Sequence, residues 1–277
     1  MHTFVTLIIA LKWLVEEGEA VVISSDSRVT AGPVAYETRK IYPIVLRAEG
    51  KEVPLAIAGG AGEATVIKQS YRLCEKILTE LALKEWKGRT PTFEQFEDAV
   101  YQIESTLIKR FRELREQGLK PDFNMILASV SPQGRASIYV FDNNCLAEPV
   151  HDNPGFALIG TGFVTGGNLL LRLLGYSAEE SWLLELGLLS AFIIDVVSEV
   201  DPAVGPFIGE SYLLRIEKGE ITLGPLKIEA LKEYKQKIPK RKDILRRLWK
   251  LLDILGEEEI NKMIEELEKR IRAENKY

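Results

Sequence analysis

The segment Asp26-Ser27-Arg28-Val29-Thr30-Ala31-Gly32-Pro33 follows the apolar run Ala20-Val21-Val22-Ile23-Ser24-Ser25, and Thr38-Arg39-Lys40-Ile41 comes soon after it. A short, almost wholly apolar run has the pattern of a strand covered on both faces. Asp-Ser at its end marks a turn, because both side chains bond nearby backbone. Upstream, residues 6–13 (Thr-Leu-Ile-Ile-Ala-Leu-Lys-Trp) read as a second strand. The intervening Glu16-Glu17-Gly18-Glu19 predicts an antiparallel hairpin.

Working outward, residues 41–47 and 53–58 form another strand pair around Glu49-Gly50-Lys51, and Gly59-Gly60-Ala61-Gly62 is expected to break the second strand. Val66, Ile67, Cys74, Ile77, Leu78 and Leu81 recur at helical spacing and predict a helix over 63–86. Pro91-Thr92 opens a second long helix, with Thr92 as N-cap, and Gly118 stops it. Strand patterns return at 123–130, 136–141 and 156–159. Helices are expected at 164–174 and 178–200, and a hairpin at 212–216 and 220–223. Strands, two helices, strands, two helices, strands is an α+β order that suggests two packed sheets with helices outside them.

The composition excludes several classes. The net charge of −5 lacks the basic excess of a whole-domain nucleic-acid binder. Only Cys74 and Cys145 are present, so no disulfide framework is supported. With His2 and His151 as the only histidines, no zinc-spaced cluster exists and no metal is expected. Cys74 on an apolar helix pattern reads as a buried inert thiol, and a reducing cytoplasm fits best. The apolar start lacks a basic leader region and meets Lys12 and Glu16 at once, which argues against a signal peptide. Residues 182–197 include Glu185 and Asp195 and are short for a membrane span, so no membrane is expected.

From residue 227 the character changes. Lys232, Lys235, Lys237, Lys240, Arg241, Lys242, Arg246, Arg247 and Lys250 accompany an apolar stripe of Ile244, Leu245, Leu248, Leu251, Leu252 and Leu255. Gly256 separates this from a second amphipathic run over 257–272. The division expected is a domain over 1–225 and a helical extension over 226–277. The extension reads as a solvated helix pair, with partner docking or an anionic surface as alternatives for its basic stretch.

Taken together, residues 6–13, 26–33 and 38–41 resemble the opening of proteasome β subunits and their bacterial relative HslV, members of the N-terminal-nucleophile hydrolases. The resemblance spans residues 6–224 and is most specific at 26–32. It implies a four-layer αββα sandwich and a threonine-type peptidase acting on peptide or unfolded-protein substrate. It further implies assembly into a homo-oligomeric ring, with no cofactor and no nucleic-acid partner. A threonine hydroxyl is a weak nucleophile at neutral pH and needs an adjacent base. In such enzymes that base is the threonine's own α-amine. A nearby lysine disfavours further positive charge there, and an aspartate holds the lysine.

Carried over by the resemblance, Thr6 is the nucleophile, Asp26 the orienting carboxylate and Lys40 the lysine. Gly59 is the backbone oxyanion donor. Gly160-Thr161-Gly162 supplies a hydroxyl through Thr161, and Asp201 stands in the later Asp-x-x-Ser-Gly step. Val29, Ile57 and Ala61 match pocket positions and imply apolar substrate side chains. Val204 replaces the serine of that step, Val5 stands where the family has a glycine before the cleavage point, and residues 1–5 precede Thr6. Thr3 is a second candidate nucleophile. Two classes stay open: an active peptidase or related amide transferase, and a non-catalytic ring subunit or partner-docking protein.

Overall fold

The structure is a computed structural model that describes every residue except 1, 2, 5, 32, 33, 38, 49 and 275–277. The chain is a mixed α/β protein with two antiparallel sheets and six α-helices among the described residues. Its contacts separate into two compact units, Met1–Leu231 and Lys232–Tyr277.

In the first unit, the eight-stranded sheet runs β10 (Ala147–Pro149), β9 (Ala136–Phe141), β8 (Phe123–Val130), β7 (Lys51–Glu63), β1 (Thr3–Phe4), β4 (Arg28–Ala31), β5 (Val34–Glu37). In addition, β6 (Ile41–Ala48) pairs with β7. The five-stranded sheet runs β11 (Phe156–Ile159), β2 (Ile8–Val15), β3 (Gly18–Asp26), β12 (Ile208–Glu217), β13 (Glu220–Pro225).

Side-chain alternation decides what each face meets. On β8, Phe123, Met125 and Leu127 join a core with Val66, Leu78, Phe96, Ile103 and Phe111, which come from α1 (Ala64–Lys84) and α2 (Phe93–Glu116). The intervening Ile126 and Ala128 join Ile8, Ala10, Val21, Ile23, Ala157 and Leu214 of the other sheet. The remaining face of β2 and β3 buries Ile9, Leu11 and Val22, and α4 (Leu186–Ser198) packs against β2, β3 and β12. The strands read as continuous apolar runs because both faces are covered. Burial pushes the thiol of Cys74 up to about 12, which keeps it protonated and inert.

Three local expectations are corrected. The glycine run 59–62 does not break its strand, since β7 continues to Glu63. Those glycines answer close packing instead: a Cβ on Gly60 would overlap Ile67, and one on Gly62 would overlap the backbone of Asp122. The helix expected over 178–200 is a 3-10 turn at Ser181–Leu183 followed by α4, because Leu184 and Glu185 are extended. Buried Ser181 holds this break by accepting from Leu14 N and donating to the Ala178 carbonyl. The segment expected over 164–174 begins as a π-turn at Phe163–Gly167 and becomes α3 (Asn168–Leu173). Thr92 does cap α2, in a reciprocal box with Gln95.

The second unit holds most of α5 (Ile228–Leu255), with Pro239 inside it, and α6 (Glu257–Glu274). Gly256 turns between them at φ +76°. Ile244, Leu248, Trp249, Ile254, Ile264 and Leu267 are exposed. No helix among the described residues is long and apolar enough to cross a membrane.

Candidate active site

The β2–β3 hairpin pairs in register from Val15 opposite Gly18 to Ile8 opposite Ser25. On the other side of a junction, β1 and β4 pair with Thr3 opposite Thr30. The register does not slip between the two. A single antiparallel ribbon therefore leaves the five-stranded sheet and enters the eight-stranded one, the way corners form between packed sheets. Thr6 and Asp26 lie at this crossing. Thr6 is thus not inside a strand, as expected, but two residues ahead of β2.

Lys40 stands just before β6 and enters the same spot. Its Nζ donates to Thr6 Oγ1 at 2.6 Å and to Asp26 Oδ1 at 2.7 Å. The Thr6 hydroxyl donates to Asp26 Oδ1 in a short hydrogen bond. Asp26 Oδ1 also accepts from Leu7 N at 3.0 Å, and Oδ2 from Gly205 N at 2.8 Å. Thr6 and Lys40 are 0% exposed and Asp26 is 1% exposed. A charge pair this deep persists only when its remaining bonding capacity is met, and here backbone N–H groups and a hydroxyl meet it. The arrangement puts a hydroxyl between a proton acceptor and a cation that stabilises negative charge on its oxygen.

The glycines around Thr6 let backbone close in. Gly160 has φ +93°, and a Cβ there would overlap the Thr6 carbonyl. Gly162 N donates to Thr6 O at 3.2 Å. The Gly-Thr-Gly step therefore serves through its glycines. Thr161 itself is exposed, and its carbonyl oxygen lies 3.2 Å from Thr165 Oγ1. Thr165 Oγ1 also donates to Asp201 Oδ2 at 2.9 Å, while Asp201 Oδ1 accepts from Ala203 N at 2.9 Å. Asp201 shapes the turn that delivers Gly205 N to Asp26, rather than touching Thr6 through any described bond. Val204 is buried in that turn.

Other expected positions fall elsewhere. Gly60 N donates to Lys40 O, on the β6 side. Along an antiparallel strand successive N–H groups alternate sides, so the Gly59 N–H points to β8, where it faces Ile126. It belongs to the sheet ladder and not to an oxyanion site. Ile57 is fully buried between the sheets and presents no surface to a substrate. Ala61 borders a cleft of 620 Å³ together with Gly160, Thr161, Phe163 and Phe156. Val29 lies on β4 opposite Tyr36 of β5. Thr3, the second candidate nucleophile, sits on β1. Gly32, Pro33 and Thr38 of the motif, and Met1, His2 and Val5 ahead of Thr6, lie outside the described residues.

Gly205 and Thr165 were not foreseen. Gly205 stands in the quoted Asp-x-x-Val-Gly step, and its N–H, rather than a side chain, is what reaches the site. Thr165 carries no motif signal.

No family model matches this chain, and no curated protein matches it. Among solved structures it is similar to the Anbu (Gly-1) mutant from Hyphomicrobium sp. strain MC1. The TM-score is 0.62 and the identity 17%, over 90% of this chain and 99% of that one. At that identity the likeness is one of fold alone. These findings overturn the assignment to the proteasome β-subunit and HslV-like family made from the motif residues: the matched residues are too few to carry a family model, and what is shared is the architecture.

Proposed function

We propose that this chain is a threonine-type amide-bond hydrolase acting on peptide or unfolded-protein chains, with Thr6 as nucleophile once residues 1–5 are removed. The observation that supports this is the buried contact of Lys40 with both Thr6 and Asp26. We read the packing as the αββα layering of N-terminal-nucleophile hydrolases, with residues 1–225 as the hydrolase domain and 226–277 as a helical extension.

In the first reaction the Thr6 oxygen adds to the Val5 carbonyl carbon and the bond to the Thr6 nitrogen breaks. This leaves an ester on Thr6 Oγ1 and a free α-amine. Water hydrolyses the ester and releases residues 1–5. In later turnovers the amine takes the hydroxyl proton, the oxygen attacks the substrate carbonyl and the proton passes to the leaving amine; water then hydrolyses the resulting ester, releasing the acid and restoring the Thr6 hydroxyl. Lys40 stabilises the oxygen as it loses its proton, and Asp26 holds Lys40. Ala61, at the border of the cleft, favours apolar substrate side chains, so cleavage after Leu or Phe exceeds cleavage after Arg or Glu. The working particle is a homo-oligomeric ring in the cytoplasm.

Intact mass and peptide turnover of purified chain test the proposal together. The expected result is loss of residues 1–5 with peptide cleavage. Chain that retains residues 1–5 yet cleaves peptides would overturn the mechanism, because Thr6 then has no free amine. Chain that retains them and cleaves nothing would point to a non-catalytic ring or docking subunit. Light scattering that gives the mass of a single chain at all concentrations would overturn the ring.

A further inference from the structure

Glu210 belongs to none of the motif segments, and it sits on β12 of the five-stranded sheet. Its carboxylate nevertheless reaches the start of β6 in the other sheet. Oε2 accepts from Lys40 N at 2.9 Å and from Ile41 N at 3.1 Å. Oε1 lies 3.6 Å from Arg39 Nε. Arg39 is in turn tied by a 2.7 Å bond from its Nη2 to Tyr212 Oη.

A local irregularity makes this reach possible. The β12–β3 register shifts by one residue between Ile208, opposite Asp26, and Glu210, opposite Ser25. Gly209 is the extra residue, and a Cβ there would stand 2.6 Å from Ser27 Cα. A bulge of this kind bends its strand and re-aims the following side chain. The same bulge thus sits beside Asp26 and turns Glu210 toward Lys40.

The bond pattern at Lys40 matters for the site. In a strand, successive N–H groups point to opposite sides. Here two successive N–H groups converge on one oxygen, the concave arrangement by which backbone grips an anion. Lys40 is therefore held out of strand geometry immediately before β6, where its side chain turns to Thr6 and Asp26.

We infer that Glu210 is a positioning residue that fixes the Lys40 backbone and thereby places the Lys40 ammonium against Thr6. This rests on the proposed role of Thr6. Displacing a reacting group by about 1 Å costs on the order of 100-fold in rate, which sets the scale of the effect.

The test uses full-length chain and a fluorogenic peptide amide with Leu at the cleaved position, with Thr6→Ala and Lys40→Ala as references. Glu210→Ala is expected to lower kcat by about 10- to 100-fold, within that scale, with KM unchanged. Glu210→Gln keeps an oxygen that accepts from both N–H groups and should stay within about threefold of the parent, since loss of charge alone leaves the clamp intact. Glu210→Asp, shorter by one methylene, folds more readily than the alanine variant if that one is lost to aggregation, and should show the same loss of kcat. Parental kcat in Glu210→Ala or in Glu210→Asp overturns the inference while leaving the function of Thr6 standing. Equal losses in Glu210→Gln and Glu210→Ala also overturn it, since the clamp would then not be the operative contact. A parent chain with no turnover, or full turnover in Thr6→Ala, overturns the function and this inference with it.

Discussion

Glu17 and Asp26 do the same thing in two regions of the molecule. Each carboxylate grips two backbone N–H groups. Glu17, in the β2–β3 turn, accepts from Lys218 N and Gly219 N, both at 3.1 Å, and so pins the β12–β13 turn. Asp26, at the far end of the same hairpin, accepts from Leu7 N and Gly205 N. Glu17 is exposed to solvent. Asp26 is buried, and its shell is completed by Lys40 and Thr6. Burial separates the two: an enclosed carboxylate persists only when its charge and bonding capacity are met, and here a cation and a hydroxyl share the enclosure.

Removing the hydroxyl has the largest expected effect. Thr6→Ala should abolish peptide turnover and leave residues 1–5 attached, read by a fluorogenic assay and intact mass, because no other group forms the ester. Lys40→Ala comes next. It should slow turnover by about 100-fold or more, the scale of losing a key electrostatic element. It should also destabilise the fold by about 3–5 kcal/mol in urea unfolding, since it removes one partner of the buried Lys40–Asp26 ion pair. Asp26→Asn keeps the shape but puts an NH2 where one acceptor oxygen stood. It also removes the anion of the buried pair, so a loss of about 3–5 kcal/mol follows, with a smaller fall in rate than for Lys40→Ala.

The mildest change is at the exposed carboxylate, Glu17. The Gly219 and Lys218 N–H bonds hold the Glu17 carboxyl below its ordinary value. A carboxyl lowered in the folded state adds stability above its unfolded pKa, and that stability is lost as pH falls through the folded value. Urea midpoints of the parent and Glu17→Gln should therefore differ slightly at pH 7 and converge as pH drops through and below the carboxylate range. A gap that widens with acid would show the N–H bonds to be unimportant.

The strands were readable where periodicity is local. Residues 123–130, 136–141 and 156–159 are strands as expected, because short apolar runs bounded by turn residues leave few alternatives. The β4–β5 hairpin went unseen because residues 28–37 were read only for their motif. The glycine run of β7 misled because a glycine that breaks a strand and one that admits a close neighbour look alike in sequence. The trio of Thr6, Asp26 and Lys40 was visible as separate residues, but their meeting depends on a ribbon changing sheets. Glu210 lies 170 residues beyond Lys40 and Gly205 179 beyond Asp26, and their contribution is made through backbone N–H groups, which leave no mark on residue identity.

The short strand β1 has a consequence of its own. Thr3 and Phe4 are paired with Gly62 and Glu63 of β7 on one side, and Thr3 with Thr30 of β4 on the other. Withdrawing residues 1–5 would leave a vacancy one strand wide, its two walls about 10 Å apart at two strand spacings. Such a vacancy accepts any extended chain by its backbone and is indifferent to most of its side chains. On the proposed role of Thr6, strand β1 is a plug tethered to the nucleophile, whose high local concentration shuts out rivals. Cutting the tether does not itself empty the slot. It only turns a permanent occupant into one that competes on equal terms.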